Sequence, residues 1–276
     1  MRKDEDTMSA PLKPLRWYKK LATRKGRLEA GAFLVEGDRA IRQIISNQPD
    51  KIMEILTVAE PRPAYGGLAT RLVSESQFRS ISYTKTPQGV MAVVRIPDGI
   101  YSGSLPVDTG NKVLLLEDIQ DPGNVGTLIR TAAAFDFSGV IMTAHCADPL
   151  SPKCVQATAG AVLSVWLRRT AHYLEFVGEL RKTGYSLIAT TLDGVSDLAP
   201  LHRQSKIILA LGNEAAGLSS ALLDMADYRL RIPTVREKAE SLNVAACGAI
   251  FMYLSSVNMH NRGHPGLGLD RPATTG

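Results

Sequence analysis

Apolar positions along this chain fall into two textures. Residues 15 to about 45 carry mostly helical spacing, interrupted at Gly26, Gly31 and Gly37, with Phe33, Leu34 and Val35 as a short strand candidate. Asp38 is placed to cap a helix from 39 to about 46. Residues 52–58 and 89–96 read as strands, the second built on Val-Met-Ala-Val-Val. Residues 97–111 are rich in Pro, Gly, Ser and Asp and poor in apolar side chains, the composition of a domain linker. After it, apolar runs recur at 113–116, 139–143, 187–190, 207–211 and 228–232, and helical stretches at 125–135, 174–182 and 218–225 fall between most of them. That alternation predicts an α/β fold with a mostly parallel sheet flanked by helices. A last helix, from 243 to about 256, is apolar on nearly every side and predicts burial, in part at a subunit interface. The expected organisation is a disordered tail (1–11), a small α/β domain (12–97), a linker (98–111), a larger α/β domain (112–258) and a second disordered tail (259–276).

Charge sharpens the picture for the first domain. The formal net charge is +5, yet residues 1–27 alone hold nine Lys or Arg against three acids. The rest of the chain is therefore close to neutral. Arg16, Lys19, Lys20, Arg24, Lys25 and Arg27 are interleaved with Trp17 and Tyr18. Basic groups follow phosphates and aromatic rings stack on bases, so this segment is expected to contact RNA. The three cysteines, Cys146, Cys154 and Cys247, lack paired spacing, which argues against a disulfide framework or a zinc ribbon; no metal is expected. There is no apolar run long enough to span a bilayer and no signal-peptide core, and a cytoplasmic location is expected.

Three short motifs sit where strand-like runs end, the position at which open α/β sheets bind ligands. The first is Asp121-Pro-Gly-Asn-Val-Gly-Thr-Leu-Ile-Arg130. Asn124 is placed to cap the helix that follows, and Gly126 to leave open space one turn before Arg130. Arg130, polar on a largely apolar helix, suits an anion; a snorkelling side chain is the plain alternative. The second motif, Gly212-Asn-Glu-Ala-Ala-Gly217, has glycines that let backbone approach a ligand, and Glu214 between them. An ordinary first-turn acid is the alternative for Glu214. No Gly-Lys-Ser/Thr follows, and no Gly-x-Gly-x-x-Gly occurs, so neither a P-loop nor a nicotinamide site is supported. The third is Ser241-Leu-Asn-Val244, whose Ser241 or Asn243 could simply cap the last helix.

Taken together and in this order, the motifs resemble those of the SpoU/TrmH family of the SPOUT superfamily of methyltransferases. Asn124, Gly126 and Arg130 match its Asn-x-Gly-x-x-x-Arg signature, and Gly212, Glu214 and Gly217 its Gly-x-Glu-x-x-Gly signature. Ile232-Pro233 and Ser241-Leu-Asn-Val244 match its third. The similarity covers about 112–256. Arg24-Lys-Gly-Arg27, Phe33-Leu-Val-Glu-Gly37 and Thr86-Pro-Gln-Gly89 resemble the family's ribosomal-protein-like substrate-binding domain. The resemblance implies S-adenosylmethionine as cofactor, a ribose 2′-hydroxyl of RNA as acceptor, a deep trefoil knot and a homodimer. It places the cofactor against Gly212, Ile232 and Leu242, with Gly217 and Thr190 as further candidates. Arg130, Asn124, Glu214, Ser241 and Asn243 are the implied catalytic set.

A guanidinium holds its proton too firmly to serve as a base. Arg130 is therefore expected to hold the phosphate beside the reacting ribose while phosphate or water takes the proton. Asn124 and Asn243, with Ser241, would position the ribose and Arg130, and Glu214 would orient Asn124 or Arg130. Ribosomal RNA is the first expectation for the substrate, because a separate N-terminal RNA domain is present; tRNA is the second. A non-catalytic RNA-binding protein on this scaffold is the third, and the intact motif residues argue against it.

Overall fold

A computed structural model describes residues 13–60, 63–235 and 241–256; both predicted tails lie outside them. The first unit comprises α1 (Leu15–Lys20), α2 (Arg24–Ala30), β1 (Ala32–Glu36), α3 (Asp38–Asn47), β2 (Ile52–Thr57), β3 (Thr70–Leu72), α4 (Glu75–Ile81) and β4 (Val90–Arg95). Its sheet runs β1-β4-β2-β3, with β4 antiparallel to both neighbours and β3 parallel to β2. Side chains alternate along the strands. Phe33, Val35, Ile55, Ala92 and Val94 meet Ile41 and Ile44 of α3 on one face. Leu34, Leu56, Met91 and Val93 meet Tyr18, Phe78 and Ile81 on the other. Both faces are covered, which explains the unbroken apolar run in β4.

The second unit comprises β5 (Lys112–Leu116), α5 (Pro122–Ala134), β6 (Gly139–Thr143), α6 (Pro152–Thr158), β7 (Trp166–Thr170), α7 (Tyr173–Lys182), β8 (Ser186–Val195), α8 (Pro200–Arg203), β9 (Ile207–Leu211), α9 (Ser220–Met225), β10 (Tyr228–Leu230) and α10 (Val244–Leu254). The sheet is parallel throughout, in the order β10-β8-β9-β5-β6-β7. Leu114, Leu116, Val140, Met142, Leu209 and Leu211 face α5, α6 and α10. Val113, Leu115, Ile141, Leu187 and Ile208 face Phe176, Val177 and Leu180 of α7 and Leu222 of α9. The expected α/β architecture is present, with helices on both faces.

Several local readings need correction. Gly26 lies inside α2 and does not interrupt it; a Cβ there would fall 2.0 Å from the Lys20 carbonyl oxygen, so it allows α1 and α2 to touch. Asp38 does not cap α3: Gly37 holds the cap position, and Asp38 sits in the first turn, accepting from Arg42 and from the Tyr65 hydroxyl. Asp121, rather than Asn124, caps α5, its carboxylate accepting from the Asn124 backbone N–H at 2.9 Å. Gly126 opens no space: a Cβ there would lie 2.4 Å from the Cys154 carbonyl oxygen, where α5 and α6 make close contact.

Segment 97–111 has no regular structure, yet it is stitched to the second sheet. It covers edge strand β7, whose Arg169 N–H donates to Ile100. Arg168, buried in the same strand, donates to the carbonyls of Ser104 and Asp98. The polar Arg168-Arg169 pair hid β7 in the sequence. Beyond β10, Ile232 and Thr234, and then Ser241 and Leu242 before α10, line one cavity with Thr190 of β8 and Leu211 of β9. Residues 236–240, between β10 and α10, lie outside the described set.

Candidate active site

The carboxyl ends of β8, β9 and β10 and the start of α10 enclose a cavity of about 340 Å³. The loop after β9 forms its floor. Asn213 and Gly217 exchange backbone hydrogen bonds at 3.1 and 2.9 Å, closing a tight hairpin around Glu214. Gly217 has φ +70°, and a Cβ on Gly212 would lie 2.3–2.5 Å from the Gly217 and Leu218 backbone. These two glycines therefore make the hairpin possible as well as leaving its outer side open. The Asn213 side chain completes it. Its Oδ1 accepts from the Ala215 and Ala216 N–H groups, and its Nδ2 donates to the Asp118 carbonyl at 2.9 Å. Asp118 itself has φ +56°, held by reciprocal hydrogen bonds with the Thr143 hydroxyl.

A directional chain of side chains crosses the mouth of this loop. Asn243 caps α10, its Oδ1 accepting from Ala245 N–H at 2.9 Å. That contact sets the amide's orientation, so its Nδ2 is free to donate to Asn124 Oδ1 at 3.2 Å. The amide of Asn124 then points its own Nδ2 at Glu214 Oε1, 2.8 Å away. Because Asp121 supplies the cap, the Asn124 side chain is available for this link.

Glu214 and Ser241 line the cavity, as do all five residues singled out for the cofactor: Thr190, Gly212, Gly217, Ile232 and Leu242. Thr190, however, donates its hydroxyl to the Ala210 carbonyl at 2.9 Å. The neighbouring Thr191 has a buried Oγ1 with no partner among the described residues. Strand alternation between the two threonines was the signal that could have separated them. Asp193, Arg231 and Cys247 also line the cavity and were missed. Burial pushes the Cys247 thiol up to about 11, so it contributes apolar wall rather than a nucleophile.

Arg130 is not brought to the cavity. It stands exposed on α5 and makes no hydrogen bond or ion pair among the described residues. Of the expected RNA contacts, Arg16, Lys19, Lys20, Arg24 and Lys25 are exposed. Arg27 is not: it is 2% exposed, and its guanidinium is committed to Leu21, Ala22 and Asp148. Tyr18 is also withdrawn, fully buried with its hydroxyl on Glu54 at 3.0 Å, because α1 packs its aromatic side onto the sheet. Among the described residues no cluster of His, Cys, Asp or Glu could hold a metal ion, and no helix is long and apolar enough to cross a membrane.

A cavity at parallel strand ends, floored by Gly-x-Glu-x-x-Gly and bordered by the two linked asparagines, sits in a chain that matches known proteins over most of its length. Residues 111–253 match the SpoU rRNA Methylase family, and residues 14–92 match an MRM3-like substrate binding domain. The chain belongs to the SpoU rRNA methylase family. It is 32% identical to the 23S rRNA (guanosine(2553)-2′-O)-methyltransferase RlmP of Bacillus subtilis, over 89% of this chain and 96% of that one. Among solved structures, a putative RNA methyltransferase of the TrmH family from Porphyromonas gingivalis is 32% identical with TM-score 0.79, covering 90% of this chain and 100% of that one. The SpoU methyltransferase AviRb of Streptomyces viridochromogenes, solved with AdoMet, is 27% identical with TM-score 0.76, covering 91% and 98%.

Proposed function

We propose that this SpoU-family protein transfers a methyl group from S-adenosylmethionine to a ribose 2′-hydroxyl of ribosomal RNA. The observation that carries the reading is the Asn243–Asn124–Glu214 chain poised at the mouth of the strand-end cavity. The cavity's residues fit the cofactor. Ile232, Leu242 and Val244 offer an apolar wall for an adenine ring, and the orphaned Thr191 hydroxyl offers a hydrogen bond that nothing in the described chain takes.

When bound, S-adenosylmethionine supplies an electrophilic methyl on a sulfonium centre. The protein must hold the 2′-oxygen in line with it and assist loss of the hydroxyl proton. Glu214 orients Asn124, and Asn124 with Asn243 and Ser241 positions the ribose. Arg130, exposed and unpaired among the described residues, holds the adjoining phosphate, and phosphate or water accepts the proton. The exposed basic residues of α1 and α2 bind RNA remote from the reacting ribose. The apolar outer side of α10 forms a homodimer interface. A cytoplasmic location is part of the same reading. Ribosomal RNA is favoured over tRNA by the substrate-binding unit and by the activities of RlmP and related proteins.

The test is incorporation of tritiated methyl from S-adenosylmethionine into unmodified rRNA and, separately, tRNA. Label in rRNA that survives as an alkali-resistant dinucleotide and disappears in Arg130→Ala is the expected result. Label only in tRNA would overturn the substrate assignment. Cofactor binding without label in either would point to a binding protein. Near-normal single-turnover rates in Arg130→Lys would show that the paired donors of a guanidinium are not needed to hold the phosphate.

A further inference from the structure

Arg27, withdrawn from the RNA surface, occupies a position between the two sheets. Its side chain is 3% exposed and that of Asp148 14%, and they meet at 2.6 Å. The other terminal guanidinium nitrogen donates to the Leu21 and Ala22 carbonyls, each at 2.9 Å, so Arg27 grips the turn between α1 and α2. That turn is flanked by Arg16, Lys19, Lys20, Arg24 and Lys25, all exposed. Asp148 belongs to the loop between β6 and α6, and its second oxygen accepts from the Tyr101 hydroxyl at 3.0 Å and from Leu150 N–H at 2.9 Å. Arg24 lies over the Tyr101 ring, 4.7 Å from its centroid. Three segments remote in sequence thus meet at one carboxylate: α2, the connecting segment and the β6–α6 loop.

From there the path to the catalytic motif is short. The loop leads into α6, which packs against α5 through the close contact at Gly126, two residues from Asn124. We infer that Arg27, Asp148 and Tyr101 form a positioning centre that sets the orientation of the basic α1–α2 surface relative to α5, and so the register in which a long RNA reaches the active site. The inference rests on the reading of α1 and α2 as an RNA surface. A buried ion pair is a poor device for stability alone, since apolar packing does as well; its value is directional, because one relative placement brings Arg27 to Asp148, Leu21 and Ala22 together, even with Nε left without a partner among the described residues. Tyr101 and Asp148 touch neither the cavity nor the exposed basic side chains other than Arg24.

The test compares Asp148→Asn, Tyr101→Phe and the surface variant Lys19→Gln/Lys20→Gln in the full chain. The readouts are S-adenosylmethionine Kd by calorimetry, and kcat and KM on in-vitro-transcribed 23S rRNA. Tyr101→Phe removes one hydroxyl and guards against a variant that merely fails to fold. A misplaced surface raises KM, by about tenfold in Asp148→Asn and about threefold in Tyr101→Phe, with kcat and cofactor Kd held within about twofold. Unchanged KM in both, or a parallel loss of kcat and cofactor affinity, overturns the positioning role. If Lys19→Gln/Lys20→Gln also leaves KM unchanged, the basic surface does not bind RNA and both readings fall. If it raises KM while the other two do not, only the positioning role falls.

Discussion

Asn124 donates its side-chain amide to Glu214 at 2.8 Å across 90 residues of sequence, joining the first and second motifs into one site. The direction of this bond is dictated from the other side, where Asn243 donates to Asn124 Oδ1. Asn124→Asp would replace the only side-chain donor to Glu214 among the described residues with a second carboxylate. The expected result is a fall in single-turnover rate of at least about tenfold, as great as in Asn124→Ala, with cofactor Kd within about threefold. A rate for Asn124→Asp near wild type would show that the amide's direction is irrelevant to methyl transfer.

Adjacent threonines are expected to behave in opposite ways. Thr190 spends its hydroxyl on Ala210 within the sheet, whereas the Thr191 Oγ1 is buried at the cavity without a partner among the described residues. Thr191→Val should weaken S-adenosylmethionine binding by about 3- to 10-fold, the worth of one hydrogen bond, and leave unfolding unchanged or slightly improved. Thr190→Val should cost about 1 kcal/mol of stability and leave cofactor Kd alone. Calorimetry and urea unfolding on both variants separate the two; the reverse pattern would assign the ligand contact to Thr190.

The Asp121 cap carries a pH signature. Hydrogen bonding from Lys153, and then from the Asn124 backbone N–H, holds its carboxyl below the usual value of 3.8. A depressed folded-state value means that the stabilisation is complete above the unfolded value and is lost as pH falls through the folded one. Asp121→Ala should therefore cost about 1 kcal/mol from neutral pH down to about 5, mostly as lost capping, since the Lys153 pair is exposed. The gap between variant and wild type should narrow below pH 3.8. A gap that persisted unchanged to pH 2, measured by urea unfolding, would remove Asp121 as the cause.

The sequence exposed the centre of the large parallel sheet well because its inner strands, covered on both faces, are continuous apolar runs, as in Ile207–Leu211. It hid elements whose polar residues are satisfied by tertiary partners. Arg168 and Arg169 disguised β7, and the three-residue β3 carries too little pattern to read. For α4 a signal was present, the Ser74–Gln77 capping box, and went unread. Motif spacing located Glu214, Asn124 and Asn243, but not which oxygen faces which amide. Nor could a basic segment reveal that Arg27 points inward while Lys19 and Lys20 point out; only the turn at Leu21 and Ala22 decides that. Thr191 escaped because its importance lies in a missing partner, which no local pattern records.

The outer side of α10 bears the last prediction. Ala246, Ile250 and Tyr253 follow one another at spacings of four and three, so they share a face, and all are exposed. Ile250 is 38% and Tyr253 56% accessible, while Val244, Gly248, Phe251 and Met252 bury the opposite side. Tyr253 also stands edge-on to Phe135 at the end of α5, with 5.9 Å between centroids, extending the apolar face onto a second helix. A helix with so little polar surface is expected to be covered, and a second copy of the chain is the proposed cover. Wild type should sediment as a dimer, and Ile250→Glu should weaken it on the order of thirtyfold, the effect of about 2 kcal/mol at the centre of an interface. Monomeric wild type at assay concentrations, or a dimer indifferent to Ile250→Glu, would leave this face without the role assigned to it.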